Sequence, residues 1–307
     1  MKFINLKTGV EELSISRPTV LCIGNFDGVH LGHRQLVNEV LEKYESLKFT
    51  HPSVITGAWF FDSNFYKNTP EIYSLNEKLE VFGALGLEYA IIADFNEMKS
   101  LSPIDFVHQV LQNECKCIHA VCGENFRFGA KAAGDSKMLL KLMDNQASII
   151  SLLTEDDNII SSTYIRSLLS NGEIEKANNL LSANYSIREM VVHGKKLGRK
   201  IGIPTINQNI KSKNLILKSG IYSTICTIDN QTYYGVTNVG TRPTVDNNGC
   251  KNIETYIIDF DDDCYNKNVK LEFVYRIRDE IKFESIDKLK SQIQQDILTT
   301  KRFFYTN

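Results

Sequence analysis

The sequence has no apolar run near the roughly 18 residues needed to cross a bilayer, and Met1 to Arg17 holds no apolar core of a secretory leader. These absences predict a cytoplasmic chain with no membrane partner. It also lacks a basic excess: 35 Lys and Arg stand against 37 Asp and Glu, a net charge of −2. A dedicated nucleic-acid binder carries a basic face, so nucleic acid is not an expected partner. A small polyanion, which needs only a few local cations and backbone N–H groups, stays within reach. The seven cysteines (Cys22, Cys115, Cys117, Cys122, Cys226, Cys250 and Cys264) are odd in number and scattered, and no pair of C-x-x-C motifs is spaced for zinc. They read as reduced, partly buried thiols. There is no internal repeat and no low-complexity tract, and nothing in the sequence speaks to oligomeric state. What is there is ordinary: 307 residues, 42% apolar and 23% charged, enough for two globular domains with separate cores.

Up to about residue 180, short apolar runs alternate with amphipathic stretches. Thr19–Phe26, Ser53–Phe61, Tyr89–Phe95, Ile118–Gly123 and Ala147–Leu153 read as strands. Ser74 with Glu77 makes a capping box ahead of Leu79, Phe82 and Leu85, and Ser102-Pro103 supplies an N-cap and an N1 proline before Phe106 and Val110. Strands alternating with helices predict an α/β, Rossmann-like nucleotide fold with a parallel sheet. After Ala183 the pattern changes to strands with almost no helix between them: Tyr185–His193, Gly220–Asp229, Thr232–Val239, Asn252–Phe260 and Val269–Arg278. Asp229-Asn230 reads as a tight hairpin turn, and Asp261-Asp262-Asp263 as an exposed loop rather than a metal site. A last helix starts at Ser285, with Ile286, Leu289, Ile293 and Ile297 on one face. The second half is therefore expected to be a small antiparallel β-barrel with a C-terminal helix. The expected domains are residues 1–182 and 183–307.

Residues 24–33 read G-N-F-D-G-V-H-L-G-H, directly after the buried-looking run Val20-Leu21-Cys22-Ile23 and ahead of a helix bearing Leu36, Val37 and Val40. Gly24 and Gly28, flanking Phe26 and Asp27, let backbone approach a ligand closely, and a helix N-terminus offers N–H groups to phosphate. His30 and His33 can donate hydrogen bonds to phosphoryl oxygens as charge builds up on them. The bare alternative is a tight turn with two exposed histidines. The segment resembles the H-x-G-H signature of class I nucleotidyltransferases, which leaves the acceptor open. Gly123-Glu124-Asn125-Phe126-Arg127-Phe128-Gly129 resembles a motif of prokaryotic FAD synthetases, and Ile160-Ser161-Ser162-Thr163-Tyr164-Ile165-Arg166 resembles their I-S-S-T-x-I-R motif. In physical terms Ser161, Ser162 and Thr163 at a helix start, with Arg166 one turn on, form an anion site. Taken alone, the same hydroxyls also read as a simple cap. Asn125 and Arg127 then fall on the flavin side. Where that family carries a P-H-P segment after its second strand, this chain reads Thr56-Gly57-Ala58-Trp59-Phe60-Phe61-Asp62, without the prolines or the histidine.

In the second half, Gly194, Gly198 and Gly202 are spaced by four and interleaved with Lys195, Lys196, Arg199 and Lys200, a loop of backbone donors and basic charge suited to polyphosphate. It is neither a Walker loop nor a dinucleotide fingerprint, and the glycines alone also fit a generic basic turn. The following Pro204-Thr205-Ile206-Asn207 resembles the P-T-A-N motif of riboflavin kinases, which implies that Thr205 and Asn207 hold the magnesium and phosphates of ATP. The likeness continues through Asn238–Thr244, Ile253-Glu254-Thr255-Tyr256 and Arg278–Phe283, and Glu254 matches that family's general base; without the resemblance it reads as an exposed strand glutamate. Over nearly its whole length the chain thus resembles the bifunctional prokaryotic FAD synthetases. That implies catalytic roles for Glu254, His30, His33 and Arg166, and ligand binding by Gly24, Phe26, Asp27, Gly28, Asn125, Arg127, Ser161, Ser162, Thr163, Gly194, Gly198, Arg199, Gly202, Thr205, Asn207 and Arg278. It implies phosphorylation of riboflavin to FMN and adenylylation of FMN to FAD, with Mg2+ arriving on ATP and with riboflavin, FMN, FAD, ATP and ADP as partners. Two rivals stand beside it: a nucleotidyltransferase for another phosphorylated acceptor, which has no use for Thr205, Asn207 and Glu254, and a riboflavin kinase whose N-terminal half is a regulatory flavin- or nucleotide-binding module.

Overall fold

The computed structural model describes residues 1–6, 15–61, 70–194, 198, 202–211, 216–241 and 250–305. Packing divides the chain into two compact units, Met1–Tyr164 and Ile165–Asn307.

The first unit is built on β1 (Lys2–Leu6), β2 (Thr19–Ile23), β3 (Ile55–Phe61), β4 (Tyr89–Ala93), β5 (Cys117–Gly123) and, beyond the two-residue strands β6 (Arg127–Phe128) and β7 (Gly134–Asp135), β8 (Ala147–Ile150). Their order is β1-β4-β3-β2-β5-β8, and every pair is parallel. A strand covered on both faces needs a continuous apolar run, and β2 is buried along its whole length. From β2 the chain passes through α1 (Leu31–Leu47) to β3 and β4 on one side, then returns to β5 on the other. A crevice opens beyond the carboxyl ends of strands where the order reverses in this way.

Local signals set the helices. Glu77 N–H donates to Ser74 Oγ at 3.4 Å and Ser74 N–H to Glu77 Oε2 at 2.8 Å, so the expected capping box starts α2 (Leu75–Ala84). Ser102 Oγ accepts from Asp105 N–H at 3.1 Å, and from Phe106 to Glu114 the helix widens, with Cys115 N–H reaching Val110 O at 2.9 Å. The short ribbon β9 (Thr154–Glu155) with β10 (Asn158–Ile159) closes this half. β1 was not expected from sequence; it joins the sheet edge by pairing with β4.

The second unit holds β11 (Ser186–Met190), β12 (Ile206–Lys211), β13 (Gly220–Ile228), β14 (Gln231–Thr241), β15 (Cys250–Ile257) and β16 (Asn268–Arg278). All pairs are antiparallel, in the order β11-β16-β13-β14-β15-β12. Just past β11, Val192 bridges to Asn207 of β12, which brings the two ends of the sheet together as a near-closed barrel. Inside, the fully buried hydroxyls of Thr224, Thr237 and Thr255 hydrogen-bond in a chain at 2.8 and 2.9 Å. Asp229 (φ 48) and Asn230 (φ 66) make the expected two-residue turn, with both residues left-handed.

The last helix, Ile286–Tyr305, starts on Ser285, whose Oγ accepts from Lys288 N–H at 3.2 Å. Its anchors differ from the expected apolar face. Ile286 is 59% exposed, and the buried residues are Asp296 and Thr300. Thr300 is hydrogen-bonded to Ser223 at 2.8 Å. The helix Ile174–Leu180 packs with the barrel as well: Asn178 Nδ2 donates to Phe273 O at 2.7 Å and Tyr185 N–H to Asn178 Oδ1 at 2.8 Å.

Candidate active sites

The turn after β2 carries backbone strain: Phe26 (φ 49) and Val29 (φ 37) are left-handed beside Gly28 (φ 81). A Cβ on Gly28 would sit 2.9 Å from Ile72 Cδ1, so both the φ and the space call for glycine. Asp27 fixes the turn, accepting from Ile72 N–H at 2.8 Å through Oδ1 and from Ser162 Oγ at 2.8 Å through its carbonyl. Phe26 is buried with its edge against Phe60, Phe82 and His33. The outcome is that His30, at the N-cap of α1, stacks on His33 with ring centroids 3.7 Å apart and 22° between planes. Burial pushes the His30 imidazole down to about 4, so at neutral pH it is an uncharged ring with one N–H donor and one acceptor nitrogen.

Both histidines line a cavity of about 660 Å3. Around it the structure gathers Gly24, Asn125, Arg127, Ser161, Ser162 and Thr163 of the expected site. Ser161 Oγ accepts from Tyr164 N–H at 3.2 Å, which caps the helix Ser162–Asn171. Phe26, Asp27 and Gly28 shape the wall from behind rather than lining it. Arg166, one turn along that helix, is not among the lining residues. Aromatic side chains line the same cavity. Period-two alternation on β3 turns Trp59 and Phe61 to the cavity and Phe60 away. Trp59 meets Phe106 edge to face at 5.1 Å, and Phe126 stacks on Phe128 at 5.5 Å. One cavity thus combines polar hydrogen-bonding groups with an aromatic, apolar lining.

In the barrel, Glu254 of β15 stands in register with Asn207 of β12 and Asn238 of β14. Glu254, Asn238, Thr205, Gly198 and Arg278 line a cavity of about 250 Å3 whose apolar side comes from Ile221, Val236, Ile281, Phe283, Leu289 and Ile293. Thr205 also lines a second cavity of about 350 Å3 with Phe260, Tyr265 and the exposed Asp261–Asp263 loop. Asn207 is 6% exposed, and its Oδ1 has no hydrogen-bond partner among the described residues. A Cβ on Gly194 would lie 2.5 Å from that carboxamide, so glycine lets the backbone at this position approach it. Asn207 itself lines neither of these cavities, but an amide oxygen without a partner is the kind of ligand that suits a hard cation keeping several waters. Gly202 takes a φ of 77, while Arg199, Lys195, Lys196, Lys200, Asp62 and residues 242–244 lie outside the described residues. Arg278 is held from behind, donating Nε–H and Nη2–H to the two oxygens of Asp296 at 3.0 and 2.6 Å.

A family model for FAD synthetase matches residues 12–164, and one for riboflavin kinase matches residues 181–304. A bifunctional riboflavin kinase/FMN adenylyltransferase from Bacillus subtilis (strain 168) is 34% identical over 301 residues, covering 93% of this chain and 92% of the relative. This chain belongs to that bifunctional family. Another member, from Escherichia coli (strain K12), is 33% identical over 296 residues, with 93% and 92% covered. A solved structure described as a macrolide-efflux protein from Streptococcus pneumoniae has a TM-score of 0.87 at 26% identity and covers 98% of this chain. Among the described residues no helix is long and apolar enough to cross a membrane.

The riboflavin kinase/FMN adenylyltransferase resemblance seen in the sequence thus extends to the fold of both halves. Residues that sequence reading gives no place in a site are Phe106, Asn252 and Asp296, while Trp59 and Asn238 fall in quoted segments without a role. Alternation along β3 signals Trp59 once the strand is known. Asp296 had no such signal, because its partner Arg278 stands 18 residues away on β16. The described cysteines other than Cys250 are buried and carry no disulfide.

Proposed function

We propose that this chain phosphorylates riboflavin to FMN in its barrel and adenylylates FMN to FAD in its parallel-sheet half, using ATP in both. The kinase chemistry is assigned to residues 183–307 and the adenylyltransferase chemistry to residues 1–182. The observation that carries the kinase half is the position of Thr205, which lines both barrel cavities. A phosphoryl group moving from a nucleotide in one cavity to an alcohol in the other passes a residue common to both. The apolar 250 Å3 cavity suits the flavin ring and the 350 Å3 cavity the nucleotide. Families that use ATP in these reactions need a divalent metal; Mg2+ carried in on the phosphates would be held by Thr205 and Asn207 and would offset the phosphate charge there. Glu254 takes the proton of the ribityl 5′-hydroxyl as its oxygen attacks the γ-phosphorus and ADP leaves.

In the other half, the FMN phosphate attacks the α-phosphorus of ATP and pyrophosphate leaves. His30 and His33 donate to the phosphoryl oxygens, and Ser161–Thr163 hold the phosphate chain. The aromatic wall with Trp59 and Phe128 takes the flavin. The altered segment at Thr56–Asp62 makes this the slower step. The chain works in the cytoplasm and needs no nucleic acid.

Paired variants test the assignment. Glu254→Gln is expected to slow FMN formation from riboflavin by about 10²-fold or more yet turn supplied FMN into FAD, and His33→Ala to abolish FAD formation while leaving FMN formation intact. FMN made at the wild-type rate by Glu254→Gln, or FAD made normally by His33→Ala, removes that residue from its reaction.

A further inference from the structure

We propose that Asn252 is a positioning residue for Glu254, an inference that rests on the reading of Glu254 as the base. Glu254 is flanked across the sheet by Asn207 and Asn238, yet its hydrogen bond among the described residues comes from its own strand. Asn252, two residues earlier and so on the same face of β15, donates Nδ2–H to Glu254 Oε1 at 2.6 Å. Asn252 is 8% exposed, and its Oδ1 has no hydrogen-bond partner among the described residues. A buried carboxamide that spends one donor on a carboxylate and leaves its oxygen empty contributes little to the strand itself. Asparagine is a poor strand former, and an unmet buried acceptor costs stability. The feature that accounts for it is the bond to Glu254.

With Oε1 held, Oε2 is the oxygen that takes the proton. The 5′-hydroxyl proton passes to Oε2, the bond from that hydroxyl oxygen to the γ-phosphorus forms, and the bond to the bridging oxygen breaks, its electron pair leaving with ADP. Asn252 touches none of these atoms. Rotation about the last torsion of a glutamate is soft, so an unheld carboxylate turns its accepting oxygen out of line. Orientation matters here because a displacement of about 1 Å in a reacting group costs about 10²-fold.

Asn252→Thr and Asn252→Val test this in the full chain with riboflavin and Mg·ATP. The two side chains have the same shape and both suit a strand, but threonine alone can donate to Glu254. The valine variant is expected to lose about tenfold or more in kcat at unchanged KM for riboflavin, the order that misorientation predicts, while the threonine variant keeps most of the rate. In a Glu254→Gln background, Asn252→Val is expected to cost nothing further. Equal kcat for the threonine and valine variants, or an undiminished loss in that background, makes Asn252 structural and overturns the proposal. A wild-type rate for Glu254→Gln alone overturns the underlying reading instead, so the two failures are told apart. If thermal melting shows either variant unfolded, Asn252→Ser against Asn252→Ala makes the same comparison with smaller side chains.

Discussion

His30 makes the first half of this chain acid-labile in a way that can be measured separately from the second. Its ring is 7% exposed, and burial holds its protonation down to about 4 from the ordinary 6.5. Between those values the unfolded chain binds a proton at His30 and the folded chain does not. Stability is therefore complete above about pH 6.5 and falls as the pH drops toward 4. At about 1.4 kcal/mol per tenfold change in proton affinity, that span amounts to roughly 3 kcal/mol, a large part of the 5–15 kcal/mol typical of a domain. The assay is urea unfolding followed by fluorescence between pH 7 and 4.5. Trp59 is the single tryptophan and is 2% exposed in the core of this unit, so its signal reports this half. His119 is also lowered by burial and contributes with the same sign, so the comparison is with His30→Gln. The variant is expected to lose stability less steeply over this range. Equal pH dependence in the two proteins refutes the argument.

Three further outcomes follow from packing. Asp296→Ala leaves the Arg278 guanidinium without its nearly buried partner, and is expected to destabilise the barrel by about 3–5 kcal/mol in urea unfolding followed by hydrogen exchange, the usual cost of breaking a buried pair. Gly28→Ala sets a Cβ 2.9 Å from Ile72 in a left-handed turn, so it is expected to lower FAD formation and the melting point of the first unit while FMN formation persists. A segment of residues 165–307 is expected to melt higher than one of 183–307, because the shorter one loses the bonds of Asn178 to Phe273 and Tyr185; equal melting temperatures count against that packing.

The parts of the fold legible in the sequence are those where a local pattern has one physical use. Val20-Leu21-Cys22-Ile23 can only be a strand buried on both faces, and Ser74 with Glu77 states where α2 begins. β1 escaped because K-F-I-N-L is short and mixed in polarity, and it gains its place by pairing with β4. β12 escaped because Ile206 and Asn207 were read as a motif and not as the start of a strand. The C-terminal helix showed its apolar period but not its anchors, since a carboxylate such as Asp296 is buried only when a distant arginine reaches it. The site was legible where glycines and histidines crowd one turn. Its aromatic wall was not, because Trp59, Phe106 and Phe128 come from three separate segments.

The central claim is that one chain carries both reactions in series. Incubating the full protein with riboflavin and Mg·ATP and separating the flavins over time tests it directly. The expected course is riboflavin falling as FMN rises first, then FAD appearing at the expense of FMN with release of pyrophosphate. If riboflavin yields no FMN, or if FMN with ATP never yields FAD, the claim is wrong for the half concerned.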